Sequence, residues 1–235
     1  MKVRVALVAA VLTLSGSAVA SYDSFGFEPQ TFVPGPLVGQ DGWSAGAGGG
    51  GFAPAVVTDP DPVVGTQSVR LEVPDLQGAF SWMTRRIAPV APGPGVIVSV
   101  QFDVYRLDQL NQNLWWWWTE AGDPTYGLQW DIGGTRPFGF NGTEVPTVKG
   151  AWTTILLEWN LETMLANSWY DGVPVDVNYP ISGITSLSEW TFYLSHDAAT
   201  GSGADTAWID NFCIHVVPEP AALVLVGLGV LLRRR

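Results

Sequence analysis

Val96-Ile97-Val98-Ser99-Val100-Gln101-Phe102-Asp103-Val104 decides the fold. Val96, Val98, Val100, Phe102 and Val104 fall on every second position, the period of a β-strand, so all five share one face of a sheet. The same period returns in Trp190, Phe192 and Leu194. It returns again in Trp208, Phe212, Ile214 and Val216, where Asp210 interrupts the apolar series. Residues 68–73, 80–87, 126–132, 153–159 and 167–170 are further strand candidates. Asp171-Gly172 after the last of them is a hairpin signal, with 173–177 as the returning partner. The one helical hint, 161–166, is too short to matter. Gly and Pro together supply 44 of the 235 residues and punctuate these segments; 46–51 and 54–65 read as a long surface loop. About ten strands without crossover helices imply antiparallel pairing, and two layers bury the inner faces. The expectation is an all-β, two-sheet antiparallel sandwich over 21–216. No repeat of fixed period suggests a propeller or β-helix.

Composition agrees with a packed domain: 47% of residues are apolar and only 14% charged. Acids outnumber bases 22 to 11, and five of the bases are Lys2, Arg4, Arg233, Arg234 and Arg235. Residues 21–220 hold all 22 acids and six bases, a formal charge of −16 that repels phosphate backbones and excludes nucleic acid as a partner. The single cysteine, Cys213, can form no internal disulfide or cysteine-rich metal cluster and reads as a small buried apolar residue.

The two ends carry addresses. Lys2 and Arg4, the apolar run 5–14 and Ala18-Val19-Ala20 make a secretory signal over 1–20, with cleavage expected before Ser21. A short membrane anchor is the alternative, and the run is brief for one. At the other end Val217-Pro218-Glu219-Pro220 precedes 221–232, a stretch without charge, and Arg233-Arg234-Arg235 follow. Proline breaks the preceding strand, the apolar segment prefers lipid, and the arginines prefer the cytoplasmic side. This order resembles the PEP-CTERM sorting signal of Gram-negative bacteria, over 217–235. The resemblance implies an exported protein held transiently in the membrane by a short C-terminal hydrophobic helix. An exosortase-type protease would then release it to the cell surface or extracellular matrix. The helix departs from a full span, since 221–232 is only about 18 Å long as a helix and a span takes about 20 residues.

The body resembles a concanavalin-like or carbohydrate-module jelly roll. The residues that carry the likeness are Phe27-Glu28, Gly39-Gln40-Asp41-Gly42-Trp43, Gly65-Thr66-Gln67-Ser68-Val69-Arg70-Leu71 and the closing Ala207-Trp208-Ile209-Asp210-Asn211-Phe212. The resemblance implies a structural Ca2+ held by Glu28 and Asp210, with backbone carbonyls completing the shell. Alternatively, Asp210 accepts hydrogen bonds or pairs with an arginine.

Trp115-Trp116-Trp117-Trp118 is the most unusual stretch. On a strand Trp115 and Trp117 face one way and Trp116 and Trp118 the other, so at most one pair belongs to the core. The remaining pair either stacks on sugar rings, making exopolysaccharide the partner, or lies under the loops 111–113 and 119–124 as structural aromatics.

Catalytic signals are thin. Glycoside hydrolysis needs two carboxyl groups held about 5–10 Å apart, and the Glu-x-Asp-x-Glu pattern of concanavalin-like glucanases is absent. Glu158 and Glu162 define no facing pair, Asp59-Pro60-Asp61 sits in a proline-rich loop, and neither His196 nor His215 has a nucleophile motif beside it. Gly46–51 lacks the lysine and helix of a phosphate loop, and the Asn141-Gly142-Thr143 sequon carries little weight in a bacterial chain. The expected function is a non-catalytic surface or matrix component that contacts exopolysaccharide. The alternative is a polysaccharide-active hydrolase or lyase with carboxylates drawn from separate strands.

Overall fold

The computed structural model describes residues 21–58, 65–106, 112–119, 129–133, 136–138, 150–181, 183–196 and 204–217. The signal-like segment 1–20 and the sorting motif after Val217 lie outside these residues. So do Asp59, Asp61 and Asn141. Side chains are described in the same ranges except at 106, 112–119, 129–133 and 136–138.

The described residues form strands β1 (Tyr22–Asp23), β2 (Gly35–Pro36), β3 (Trp43–Gly48), β4 (Phe52–Thr58), β5 (Gln67–Val73), β6 (Phe80–Val90), β7 (Ile97–Arg106) and β8 (Gln112–Thr119). Then follow β9 (Gln129–Gly133), β10 (Arg136–Phe138), β11 (Trp152–Asn160), β12 (Leu165–Tyr170), β13 (Val173–Pro180), β14 (Leu187–His196) and β15 (Asp205–Val217). One sheet runs β13-β12-β11-β7-β15-β5-β4-β2, with β1 beside β15; the other runs β10-β9-β8-β14-β6-β3. Their ladders are antiparallel, and together they make the expected two-sheet jelly-roll sandwich.

The opening stretch becomes β7, at the centre of the larger sheet. Val98, Val100, Phe102 and Val104 are buried in the inter-sheet core, where Phe102 meets Phe192 edge-on at 4.9 Å. Val96 precedes the strand and packs against the core edge. Trp190, Phe192 and Leu194 of β14 face β7 from the smaller sheet, so both period-2 readings hold. Asp171 and Gly172 take φ of 48° and 75° and close the β12–β13 hairpin, because a two-residue type I′ loop needs positive φ at both positions.

Three expectations are corrected. Residues 46–51 and 54–65 are not one loop: Gly46 and Gly48 belong to β3, and Pro54 lies in β4. Glycine is required in this strand by its neighbours, since a Cβ on Gly46 would lie 2.9 Å from the Trp82 ring and one on Gly48 2.2 Å from the Phe80 ring. Pro54 sits where the β4–β5 register slips between Phe52 and Ala55, so its missing N–H costs no ladder bond. The helical hint at 161–166 is a turn running into β12. The Asn160 carboxamide accepts the Glu162 and Thr163 amides there, offering the backbone an alternative to helix.

The third correction concerns β15. The register slips between Asp210 and Cys213, and Asn211 has φ of 49°. This bulge reverses the faces: Ala207 and Ile209 point inward before it, Phe212, Ile214 and Val216 after it. Trp208 and Asp210 therefore share the outer face and do not interrupt the apolar one.

Candidate functional site

The smaller sheet carries its chemistry on its outer face. On β6 the inward positions are Ser81, Met83 and Arg85, leaving Phe80, Trp82, Thr84 and Arg86 outside. On β14, Trp190, Phe192 and Leu194 are inward and Glu189, Thr191, Tyr193 and Ser195 outside. Antiparallel pairing sets directly opposed residues on one face. It aligns Gly46, Trp82 and Tyr193 in one row and Ser44, Thr84 and Thr191 in the next.

The register of β8 extends both rows. Trp115 pairs with Tyr193 and Trp117 with Thr191, whereas Trp116 and Trp118 pair with Phe192 and Trp190, the core positions. The register thus sets positions 115 and 117 opposite outer-face residues and positions 116 and 118 opposite core residues. Asp131 of β9 continues the Trp115 row and Gln129 the Trp117 row.

Phe80 and Tyr193 stack at 5.3 Å with planes 22° apart, both partly exposed. Burial alone raises the Tyr193 phenol pKa above its ordinary value, so it stays a neutral hydroxyl through physiological pH. Between the aromatic positions the Thr84 and Thr191 hydroxyls share a 2.8 Å hydrogen bond. Arg86 and Glu189 pair across β6 and β14. The small residues Gly46 and Gly48 let the Trp82 and Phe80 rings lie down over β3. Flat apolar rings bordered by hydroxyls suit a ligand that has CH faces and hydroxyl edges together.

The residues expected to hold calcium do separate tasks. Glu28 follows the 3-10 turn Phe25–Phe27, and its carboxylate accepts the Thr66 amide (2.6 Å), the Thr66 hydroxyl (3.1 Å) and the Gln67 amide (3.0 Å). It ties the N-terminal segment to β5. Asp210, fully buried, accepts the amide of Asn211 at 2.7 Å. The carboxylate the fold sets opposite Asp210 is Asp103 of β7, not Glu28. Among the described residues no three His, Cys, Asp or Glu side chains converge as metal ligands.

Asp103 is 2% exposed and accepts the Thr154 hydroxyl at 2.5 Å and the Asn211 carboxamide at 3.1 Å. Burial raises its pKa above the usual carboxylate value; those two hydrogen bonds pull it back, and the charge of Asp171 raises it further. Sequence reasoning missed this pair, because nothing in the local pattern joins residues 103 and 210.

It also missed the bridge at His196. Its Nδ1 lies 2.6 Å from Asp205 and its Nε2 3.1 Å from Asp75, joining the β5–β6 turn to β14 and β15. Cys213 is buried, and its thiol pKa is pushed up to about 11, first by burial and then by the charge of Asp23. The thiol is therefore protonated and unreactive near neutrality, as a small buried residue should be.

No protein-family model matches the chain, and no curated protein matches it. Among solved structures it is similar to a sialidase, with TM-score 0.49 and 11% identity, over 74% of this chain and 17% of that one. It is similar to the Emp47p carbohydrate recognition domain, with TM-score 0.49 and 11% identity, over 80% and 96% of the two chains. A family 11 carbohydrate-binding module from Clostridium thermocellum, in complex with a β-1,3-1,4-mixed-linked tetrasaccharide, aligns with TM-score 0.44 and 13% identity over 85% and 97%. At these identities and TM-scores the likenesses assign neither ligand nor reaction to this chain.

Proposed function

We propose that this chain is an exported, non-catalytic polysaccharide-binding protein of the cell surface or extracellular matrix. Its binding site is the outer face of the β3–β6–β14–β8 sheet. The observation that carries the reading is the aromatic row Trp82–Tyr193, with Phe80 stacked beside it and Trp115 next in register. A pyranose stacks its CH face on such rings, and the neighbouring hydroxyls exchange hydrogen bonds with its edge. The signal-like 1–20 and the sorting-type tail at 217–235 support delivery outside the cell, with an exosortase-type protease as processing partner and the membrane as a transient one.

A glycoside hydrolase would need a pair of carboxyl groups open to substrate. Asp103 and Asp210, the pair the fold places face to face, are 2% and 0% exposed, so this pair is closed to substrate.

Affinity electrophoresis of the chain through gels carrying a panel of neutral and acidic polysaccharides tests the proposal. Retardation by at least one polymer is expected, without release of reducing sugar. Trp82→Ala and Tyr193→Ala should each weaken it about tenfold, or about 1.4 kcal/mol. Retardation that survives both substitutions removes the face from the proposal, and sugar release establishes the enzymatic alternative.

A further inference from the structure

We infer that a second saccharide site lies at the N-terminal end of the sandwich, a pocket that takes one neutral pyranose ring. It rests on the proposed function only for the chemical class of its ligand; its residues are separate from the sheet face.

The pocket holds about 390 Å³, within the usual range for small-molecule sites, and Tyr22, Asp23, Phe25, Asp41, Arg85 and His215 line it. Its walls come from β1, the Phe25–Phe27 turn, the Gln40–Gly42 turn, β6 and β15. Two of these walls are strained. Phe25 and Phe27 have φ of 51° and 56°, and Asp41 has φ of 43°, the left-handed region that residues with a Cβ avoid. Such strain persists where surrounding contacts enforce it, and it concentrates at ligand sites.

The enforcing contacts are visible. The Ser24 amide donates to the Phe212 carbonyl, the Phe27 amide to the Ser24 carbonyl, and the Phe25 amide to Asp23 Oδ1 at 2.7 Å. The turn sends Phe27 into the core against Phe32 and Trp43 and leaves the Phe25 ring 68% exposed at the pocket.

The polar groups complement that ring. The Tyr22 hydroxyl accepts from Trp43 Nε1 at 2.9 Å and donates to Asp41, which fixes the Asp41 carboxylate. Arg85 spreads its guanidinium 4.2 Å above the Tyr22 ring, and its enclosed Nε has no hydrogen-bond partner. A Cβ at Gly42 would come 2.4 Å from Arg85 Nη1, so glycine there admits the guanidinium. One pocket thus presents a flat apolar ring, planar carboxylates that accept and a planar guanidinium that donates. Neighbouring hydroxyls of a pyranose offer donors and acceptors at a spacing such forks engage in pairs, and its CH face covers Phe25. Two carboxylates against one guanidinium, in a body of charge −16, repel a carboxylated or sulfated sugar, so the ligand is neutral.

Amide-resolved NMR titrations of the full chain with the methyl glycosides of glucose, galactose, mannose, N-acetylglucosamine and glucuronate decide the matter. Saturable shifts with at least one neutral glycoside are expected at Tyr22–Thr31, Asp41–Trp43 and Arg85. Phe25→Gly, which the positive φ accommodates, and Arg85→Gln should each weaken them at least tenfold, and Trp82→Ala should leave them unchanged. Absence of shifts with every neutral glycoside, shifts that survive Phe25→Gly, or tighter binding of the glucuronate overturns the inference. If Arg85→Gln fails to fold, Phe25→Gly decides alone. Failure of the sheet face would appear instead as polymer retardation insensitive to Trp82→Ala, with these shifts intact.

Discussion

Asn211 does more for this molecule than its size suggests. By taking a left-handed conformation it turns β15 over, so that Ile209 and Phe212 both reach the core and Asp210 is delivered to the opposite face beside Asp103. The resulting carboxylate pair is enclosed, and the cost falls on the charged form of Asp103. Because its folded-state pKa is raised, the folded chain keeps this proton to higher pH than the unfolded chain, whose aspartates titrate near about 3.9. Where the folded state binds more protons, stability falls as pH rises. The Asp103 contribution is thus least unfavourable below the unfolded value, and the penalty is complete above the raised folded one. Asp103→Asn removes the charge while keeping one acceptor for the Thr154 hydroxyl. Its urea midpoint, measured from pH 3.5 to pH 7, should rise relative to the unsubstituted chain across that window. Parallel curves would show that burial of this carboxylate carries no such penalty.

At the scale of elements, legibility followed how far each strand kept a strict alternation. β7 and β14 are readable because Val98–Val104 and Trp190–Leu194 keep an unbroken period of 2 where they cross the core. β15 reads in sequence as a single face interrupted by Asp210, since the bulge at Asn211 leaves no mark in hydrophobicity. β3 reads as a loop in sequence because its glycines answer to rings on β6 that come into register only after folding. The strand placement of the Trp115–118 run is legible from the sequence alone. That Trp82 and Tyr193 are its neighbours is not, because cross-strand adjacency between residues 82 and 193 has no local signature. The strand pair β3–β6 also yields a test. Gly48→Ala would place a methyl against the Phe80 ring, which cannot retreat without leaving Tyr193. Overpacking of this kind costs about 1–3 kcal/mol. The variant should lose that much in chemical unfolding, and its polysaccharide retardation should fall as the Phe80–Tyr193 stack is displaced. A variant with unchanged stability and binding would mean that glycine at this position is incidental.

Across the whole molecule the two proposed sites meet on one strand: β6 carries Trp82 on its outer face and Arg85 at the inward register, where the core gives way to the pocket. Both sites sit in a body of charge −16, and this sets which polymers can approach. Contact through rings and hydroxyls gains from dispersion and apolar burial, neither of which depends on counter-ions. Contact through charge does depend on them, because the Debye length falls from about 30 Å at 0.01 M salt to about 3 Å at 1 M. Retardation by a neutral polysaccharide should therefore change less than about twofold over that range, if ring stacking is the contact. An anionic polymer should be repelled at the low end and approach only as repulsion is screened. Retention of a neutral polymer that collapses on adding salt would show that exposed charge, rather than the Trp82–Tyr193 row, holds the glycan, and the acidic body would then have to be treated as the binding surface itself.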